Sequence, residues 1–176
     1  MEGLMMPTED KQQIEDLTAY IDKKSVEGFN VAKAYPIDNA LFNKTEVSFT
    51  KSDSDPQILI NLSFTSPAKI KFFELRGTSN TKARPKTIKI FKNKVTADFD
   101  ECENDEPTQE ITLKEADYSG KTELKFVKFQ SVTSLTIFIQ DNCGADTTEF
   151  SSLTFYGLRS GDMDVKQLKK VGEDEQ

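Results

Sequence analysis

The sequence predicts an all-β fold, an antiparallel jelly-roll β-sandwich with one short helix near its N-terminus. Three observations predict it. Several short runs alternate apolar and polar residues with a period of two, which puts the apolar side chains of a strand on one face. Pro, Gly, Asn and Asp interrupt these runs at short intervals, as tight turns require. No helical pattern is long enough to cross over between parallel strands, so neighbouring strands are expected to be antiparallel.

The elements follow in order. Thr8-Glu9-Asp10 offers a hydroxyl cap and early acids, and Ile14, Leu17 and Ile21 then share one helical face. This is the expected helix. Beyond Gly28 the chain reads as irregular, with a turn over 36–41 that carries Ile37 and Leu41 into the core. In the strand expected over 57–64, Ile58, Ile60, Leu62 and Phe64 share one face while Asn61 and Ser63 share the other. Pro67 is expected to turn the chain into a second strand over 69–76. There Ile70 and Phe72 give way to Phe73 and Leu75, a change of phase that predicts a bulge or burial on both faces. Strands are expected over 87–91, 110–113, 124–130 and 135–139, the last being the most apolar and so the candidate central strand. The run 152–158 closes the set, with Leu153 and Phe155 inward and Thr154 and Tyr156 outward. Two edge strands are expected near 46–49 and 97–99. No fixed-period repeat occurs, which excludes solenoids and propellers.

A chain of 176 residues fits one domain and buries a core without metal or disulfide staples, and its 13 Phe supply much of that core. The expected organisation is a lead-in over 1–13, the sandwich over 14–159 and a flexible charged tail over 160–176 that ends Glu173-Asp174-Glu175-Gln176. The formal charge of −7 opposes non-specific nucleic-acid binding, which needs clustered Lys and Arg, and repels an anionic membrane surface. No run of about 18 apolar residues occurs, and the first residues lack a basic leader and an apolar stretch. The expected location is therefore the cytoplasm, with the nucleus as a second compartment, and the expected state is a monomer. The sequons at Asn43 and Asn61 carry no meaning without secretion. Cys102 and Cys143 form no C-x-x-C pair and are expected to be free thiols.

Little in the sequence points to catalysis. The chain has no His, which removes Ser-His-Asp and Cys-His arrangements and imidazole metal sites. No Gly-rich phosphate loop is present. The acidic run 98–106 suggests calcium, but it lacks EF-hand spacing and a central Gly, and reads as a solvated loop. Asp53 and Asp55 could be drawn as a glycosidase pair. They sit, however, in Ser52-Asp53-Ser54-Asp55-Pro56, a run of turn formers leading into a strand. No enzyme activity, cofactor or metal is expected. Phe91 and Tyr156 fall on outward faces, where they mark either a partner surface or a second buried layer.

Several runs together are more specific than any one of them. These are Asp38-Asn39-Ala40-Leu41, then 52–60, then Pro85-Lys86-Thr87-Ile88-Lys89-Ile90-Phe91. The strongest is Leu124-Lys125-Phe126-Val127-Lys128-Phe129-Gln130-Ser131-Val132, followed by 135–139, Asn142 and 153–157. In this order, from about residue 17 to about 157, the chain resembles the PITH domain family, the proteasome-interacting thioredoxin domain. The resemblance implies a galactose-binding-like jelly roll of two antiparallel sheets. It also implies a non-catalytic module that docks on the regulatory particle of the 26S proteasome or another large protein complex. In cytosolic thioredoxin-like members the module follows a redox domain. This chain has no Trp and no Cys pair, so the expectation is a stand-alone PITH protein without the thioredoxin domain, or else a piece cut from a longer protein.

The candidate contact residues are Asp38 and Asn39 in one loop, Asp53 and Asp55 in a second, and Asp141 and Asn142 in a third. Met163 and Leu168 belong to a sparse apolar stripe in the tail. The rival reading is a ligand-binding jelly roll that recognises a glycan or a small anion; lack of a Trp to stack on a sugar ring counts against the glycan.

Overall fold

A computed structural model of the chain describes residues 13–94 and 97–159. Nine strands run through them: β1 Glu15–Asp16, β2 Glu27–Phe29, β3 Thr50–Lys51, β4 Ile58–Gly77, β5 Thr87–Lys92, β6 Gln109–Thr112, β7 Lys121–Glu123, β8 Val132–Ile139 and β9 Glu149–Arg159. Every named strand pairing is antiparallel. The strands form one curled sheet in the order β1-β9-β4-β8-β5-β6, with β2, β3 and β7 on side branches.

The curl is made by β4, a single strand of 20 residues. Its first half pairs with β8 from Ile58↔Ile139 to Ser63↔Ser134, and its second half pairs with β9 from Ala68↔Arg159 to Gly77↔Phe150. Between them the register with β8 shifts, across Ser63 and Ala68. Pro67 lies in that gap, where its missing N–H costs the ladder nothing. One layer is thus β6-β5-β8 with the first half of β4. The other is β9 with the second half of β4.

Alternation decides what lies between the layers. Ile58, Ile60 and Leu62 face Ile70, Phe73 and Leu75 across the core. Ile88, Ile90, Phe129, Leu135, Ile137, Ile139, Phe150, Leu153 and Phe155 are among the residues that join them. A side chain of this size contributes about 1.5–3 kcal/mol when fully buried. Phe73 and Phe155 are directly opposed partners on β4 and β9, with ring centroids 6.3 Å apart. Leu17, Ile37 and Leu41 plug the remaining openings.

A smaller cluster packs outside the first layer. Leu59, Phe91 and Phe138 point away from the main core and are covered by Ala97, Phe99 and Cys102. The cover is a short helix, α1, Phe99–Asn104, closed at its start by a capping box between Asp98 and Glu101. Lys89 is buried and donates from Nζ to the carbonyls of Cys102 (3.2 Å) and Glu103 (3.0 Å), so it ties the last turn of α1 to β5. Phe91 therefore belongs to a second buried layer.

Several expected elements differ. The described part of the expected N-terminal helix is instead β1, a 3-10 turn at Thr18–Tyr20 and an isolated bridge from Ile21 to Phe64. Leu17 and Ile21 are buried as expected, but Ile14 is exposed, because an extended backbone sends it to the opposite side. The strands expected over 57–64 and 69–76 are one strand that bends without a turn. The strand expected over 124–130 is a 3-10 turn at Phe126–Lys128, with β7 ending just before it. The edge strand expected at 97–99 is the cap and start of α1. The one near 46–49 lies slightly later, as β3. The bulge expected from the change of phase near Phe72 is present as a register shift between Ile70 and Phe72. Strand β8 does sit in the middle of its layer, between β4 and β5.

Candidate functional site

Four of the six candidate residues that fall within the described chain, Asp53, Asp55, Asp141 and Asn142, gather in the loops at one end of the sandwich. Asn30 organises this end. Its backbone is left-handed (φ 62°), a conformation Asn tolerates better than most residues. From there its Nδ2 donates to Asp55 Oδ1 (2.8 Å) and to the Gln57 carbonyl (2.6 Å). Its Oδ1 accepts from the Ser54 N–H (3.2 Å) and hydroxyl (2.9 Å). Asp55 also accepts from the N–H of Gln57 (2.9 Å), so this carboxylate starts β4. Asp53 is exposed, and only its backbone is engaged, through its N–H to the Asn30 carbonyl (2.9 Å).

The third loop is built the same way. Asn142 Nδ2 donates to the carbonyls of Ala145 and Thr147 and to Thr148 Oγ1, each at 3.1 Å, while Oδ1 accepts from the Gly144 N–H (2.9 Å). Thr148 is buried and its hydroxyl donates onward to the Pro56 carbonyl (2.6 Å). Asp141 Oδ1 accepts from the N–H of Thr87 (2.9 Å), fixing the start of β5. Asp53, Asp55, Asp141 and Asn142 are therefore neighbours, joined through Asn30, Ser52 and Thr148. Asn39 lies on a separate segment just before β3 and is not joined to these four; it donates to the Phe49 carbonyl (3.0 Å) and accepts from Asn43 Nδ2 (2.9 Å). Asp38 is exposed. Met163 and Leu168 lie outside the described residues.

The outward face of the second layer carries a polar network that the sequence reading did not find. Glu74 is buried; it accepts from the Tyr156 hydroxyl (2.9 Å) and is paired with Arg76. Lys121 Nζ lies 4.1 Å from the Tyr156 ring centroid. Burial and the neighbouring carboxylate push the Tyr156 hydroxyl up to about 12. Lys44, also left-handed (φ 57°), donates from Nζ to Thr18 Oγ1 (2.9 Å) and to Thr154 Oγ1. Its pKa is lowered, chiefly by burial. The signal that was available is the outward register of Tyr156, Thr154, Glu74 and Arg76; a Lys from a distant loop has none.

A groove of about 430 Å³ runs beside this network, lined among others by Lys44, Glu46, Arg76, Thr78, Ser79 and Arg84. Arg84 lies over the Tyr118 ring (5.0 Å) and is 3.4 Å from Glu115, while its Nε is buried without a partner. Glu46, Glu74 and Glu115 offset the three cations, so the groove holds no strong field of one sign. Among the described residues no group of acids, Cys or His is arranged to hold a metal ion, and the run 98–106 is largely α1. Cys102 and Cys143 are free, the former buried and the latter exposed.

Comparison with known proteins gives the following. Residues 7–173 match the sequence pattern of a family described as the PITH domain. "Thioredoxin-like protein 1" of Schizosaccharomyces pombe is 34% identical over 161 residues, covering 88% of this chain and 55% of that protein. "PITH domain-containing protein 1" of Homo sapiens is 34% identical over 113 residues, covering 63% of this chain and 51% of that protein. The chain thus spans about half the length of these relatives. Among solved structures, a family 32 CBM from Clostridium perfringens in complex with galactose superposes with a TM-score of 0.60 at 10% identity, over 82% of this chain and 99% of that one. A two-domain CBM32 structure from the same organism, in complex with GalNAc, gives 0.63 at 12%, over 88% and 38%. At such identities the likeness is one of fold, a galactose-binding-like jelly roll.

Proposed function

The chain belongs to the PITH domain family, and on that premise we propose that it is a non-catalytic docking module whose partner is the regulatory particle of the 26S proteasome. The observation that carries this reading is the family match across residues 7–173, since the family is one of proteasome-interacting type. The module works as a monomer in the cytoplasm and nucleus and performs no chemistry of its own. Its affinity comes from a few anchors within a polar surround.

The contacts of the candidate loop residues give most of them a supporting role. Asp55, Asp141, Asn142 and Asn39 use their polar atoms to shape backbone. Asp38 and Asp53 keep exposed carboxylates for a partner. The glycan reading gains nothing from neighbours solved with galactose and with GalNAc, because 10–12% identity carries the fold alone. The test is retention of purified 26S proteasome on the immobilised chain at physiological salt. Retention of both intact proteasome and isolated regulatory particle is expected, while failure to retain either abandons this partner.

A further inference from the structure

The chain is acidic overall, yet one edge of the sandwich is the reverse. The bulge in β4, strand β7 and the 3-10 turn that follows it are stitched together. Leu124 N–H donates to the Lys71 carbonyl (2.8 Å), Ile70 N–H donates to the Phe129 carbonyl (3.0 Å), and Phe72 pairs with Glu123. This small region carries Lys69, Lys71, Lys121, Lys125 and Lys128. Among the described residues none of these five lies within ion-pair distance of a carboxylate. Two acids lie beside them: Glu123, which has no side-chain partner among the described residues, and Glu74, which faces Lys121 across the strands but is engaged by Tyr156 and Arg76.

The same edge exposes apolar surface. Val127 is 83% exposed at the tip of the turn, although the residues around it, Leu124 and Phe129, are buried. Lys71 Nζ lies 5.8 Å from the ring centroids of both Phe72 and Phe126, and both rings are only half-buried. A fold that leaves a Val outside, in a turn that also carries Lys125 and Lys128 and sits beside the part-open Phe126 ring, presents an apolar anchor with cationic neighbours. That is the anatomy of a contact patch. Lysines that outnumber the carboxylates beside them also repel one another, and a partner of opposite charge relieves that cost.

We propose that this edge, centred on Val127, is the face that engages a partner, and that the partner segment is acidic and packs an apolar side chain against Val127 beside the Phe126 ring. The inference rests on the docking role proposed above and assigns it a surface different from the loop end. Carboxylates on the segment meet Lys71, Lys125 and Lys128, and its apolar side chain covers Val127. The overall charge of −7 disfavours a polyanion that must contact a broad surface, so a short acidic protein segment fits better than nucleic acid.

The experiment places the photo-crosslinker p-benzoylphenylalanine at Val127 of the full chain. A control chain carries it at Val47, which is 89% exposed on a different loop. Each is irradiated with purified 26S proteasome and, separately, with proteasome-depleted cell lysate, and the crosslinked peptides are sequenced. Position 127 is expected to capture one acidic segment at least tenfold more than position 47. The double variant Lys125→Glu/Lys128→Glu, with an unchanged melting temperature, is expected to lose that capture. Capture of an acidic segment from the depleted lysate but not from the proteasome keeps this surface and discards the proteasome as partner. Capture no greater than at position 47 overturns the proposal. So does capture of a basic segment, a nucleic acid, or residues 160–176 of the chain itself.

Discussion

Gly157 on β9 lies flat against the backbone of Lys69 on β4: a β-carbon at position 157 would stand 1.8 Å from the Lys69 carbonyl oxygen and 2.9 Å from the Ile70 Cα. No flexible side chain is in the way that could yield. The contact sits where the β4 bulge brings the two strands out of simple register, so the glycine serves close approach of two backbones.

Gly157→Ala is accordingly expected to destabilise the fold by about 3 kcal/mol, at the upper end of overpacking costs. Urea denaturation should show a lower midpoint with the same slope. A midpoint equal to that of the wild type would mean that β9 can move away from Lys69 freely.

Lys89→Met tests the tie between β5 and α1. Methionine retains the apolar stem but abandons two buried carbonyls, at a cost of about 2 kcal/mol. The readout is Cys102, which α1 holds buried against Leu59, Phe91 and Phe138. Its alkylation should accelerate in the variant while that of the exposed Cys143 stays the same. Equal acceleration of both thiols would indicate global loosening and not release of α1.

Alkaline pH should weaken the fold. Burial pushes the Cys102 thiol up to about 11 from 9.0, and burial with Glu74 pushes Tyr156 up to about 12 from 10.0. Burial raises the Tyr118 hydroxyl as well. In each case the folded state holds its proton longer than the unfolded state. The sign of the linkage is then that stability is complete below about pH 9 and is lost as pH rises through 9 to 12. Melting temperature measured from pH 8 to 11 should fall, and fall less steeply in Cys102→Ala. A flat profile would refute the linkage.

The loop end separates structural from exposed acids and amides. Asn142→Ala removes a donor shared by three acceptors and should cost about 2 kcal/mol. Asp53→Ala should change stability by no more than about 0.5 kcal/mol, as exposed surface substitutions do. Chemical denaturation of the two variants side by side decides; equal effects would contradict the assignment of Asn142 as the organiser of its loop.

Strict alternation made most of the fold legible in the sequence. Ile58-Leu59-Ile60, Ile88-Lys89-Ile90 and Leu135-Thr136-Ile137 each name their inward residues correctly, because the core imposes a period of two on both layers. Two segments misled for opposite reasons. Leu17 and Ile21 keep helical spacing, yet a 3-10 turn between two bridges buries the same pair, and three apolar residues over one short stretch cannot distinguish the two. In the run from Leu124 to Phe129 the alternation continues past the point where the backbone turns, so Val127 faces solvent. The polar ends were legible as turns but not as networks. Nothing in the spacing tells that Asn30 and Asp55 meet, or that Lys44 reaches Thr154, since such pairings depend on which loops the topology gathers.

The long β4 has a mechanical consequence. Because one backbone belongs to both layers, opening either layer pulls on the strand that holds the other. Tension applied at the β7 edge by a bound partner would pass along β4 to β8 at the far side of the sandwich. The domain should hold firm under load and then yield all at once, with the slowest-exchanging amides of both layers released in a single opening event.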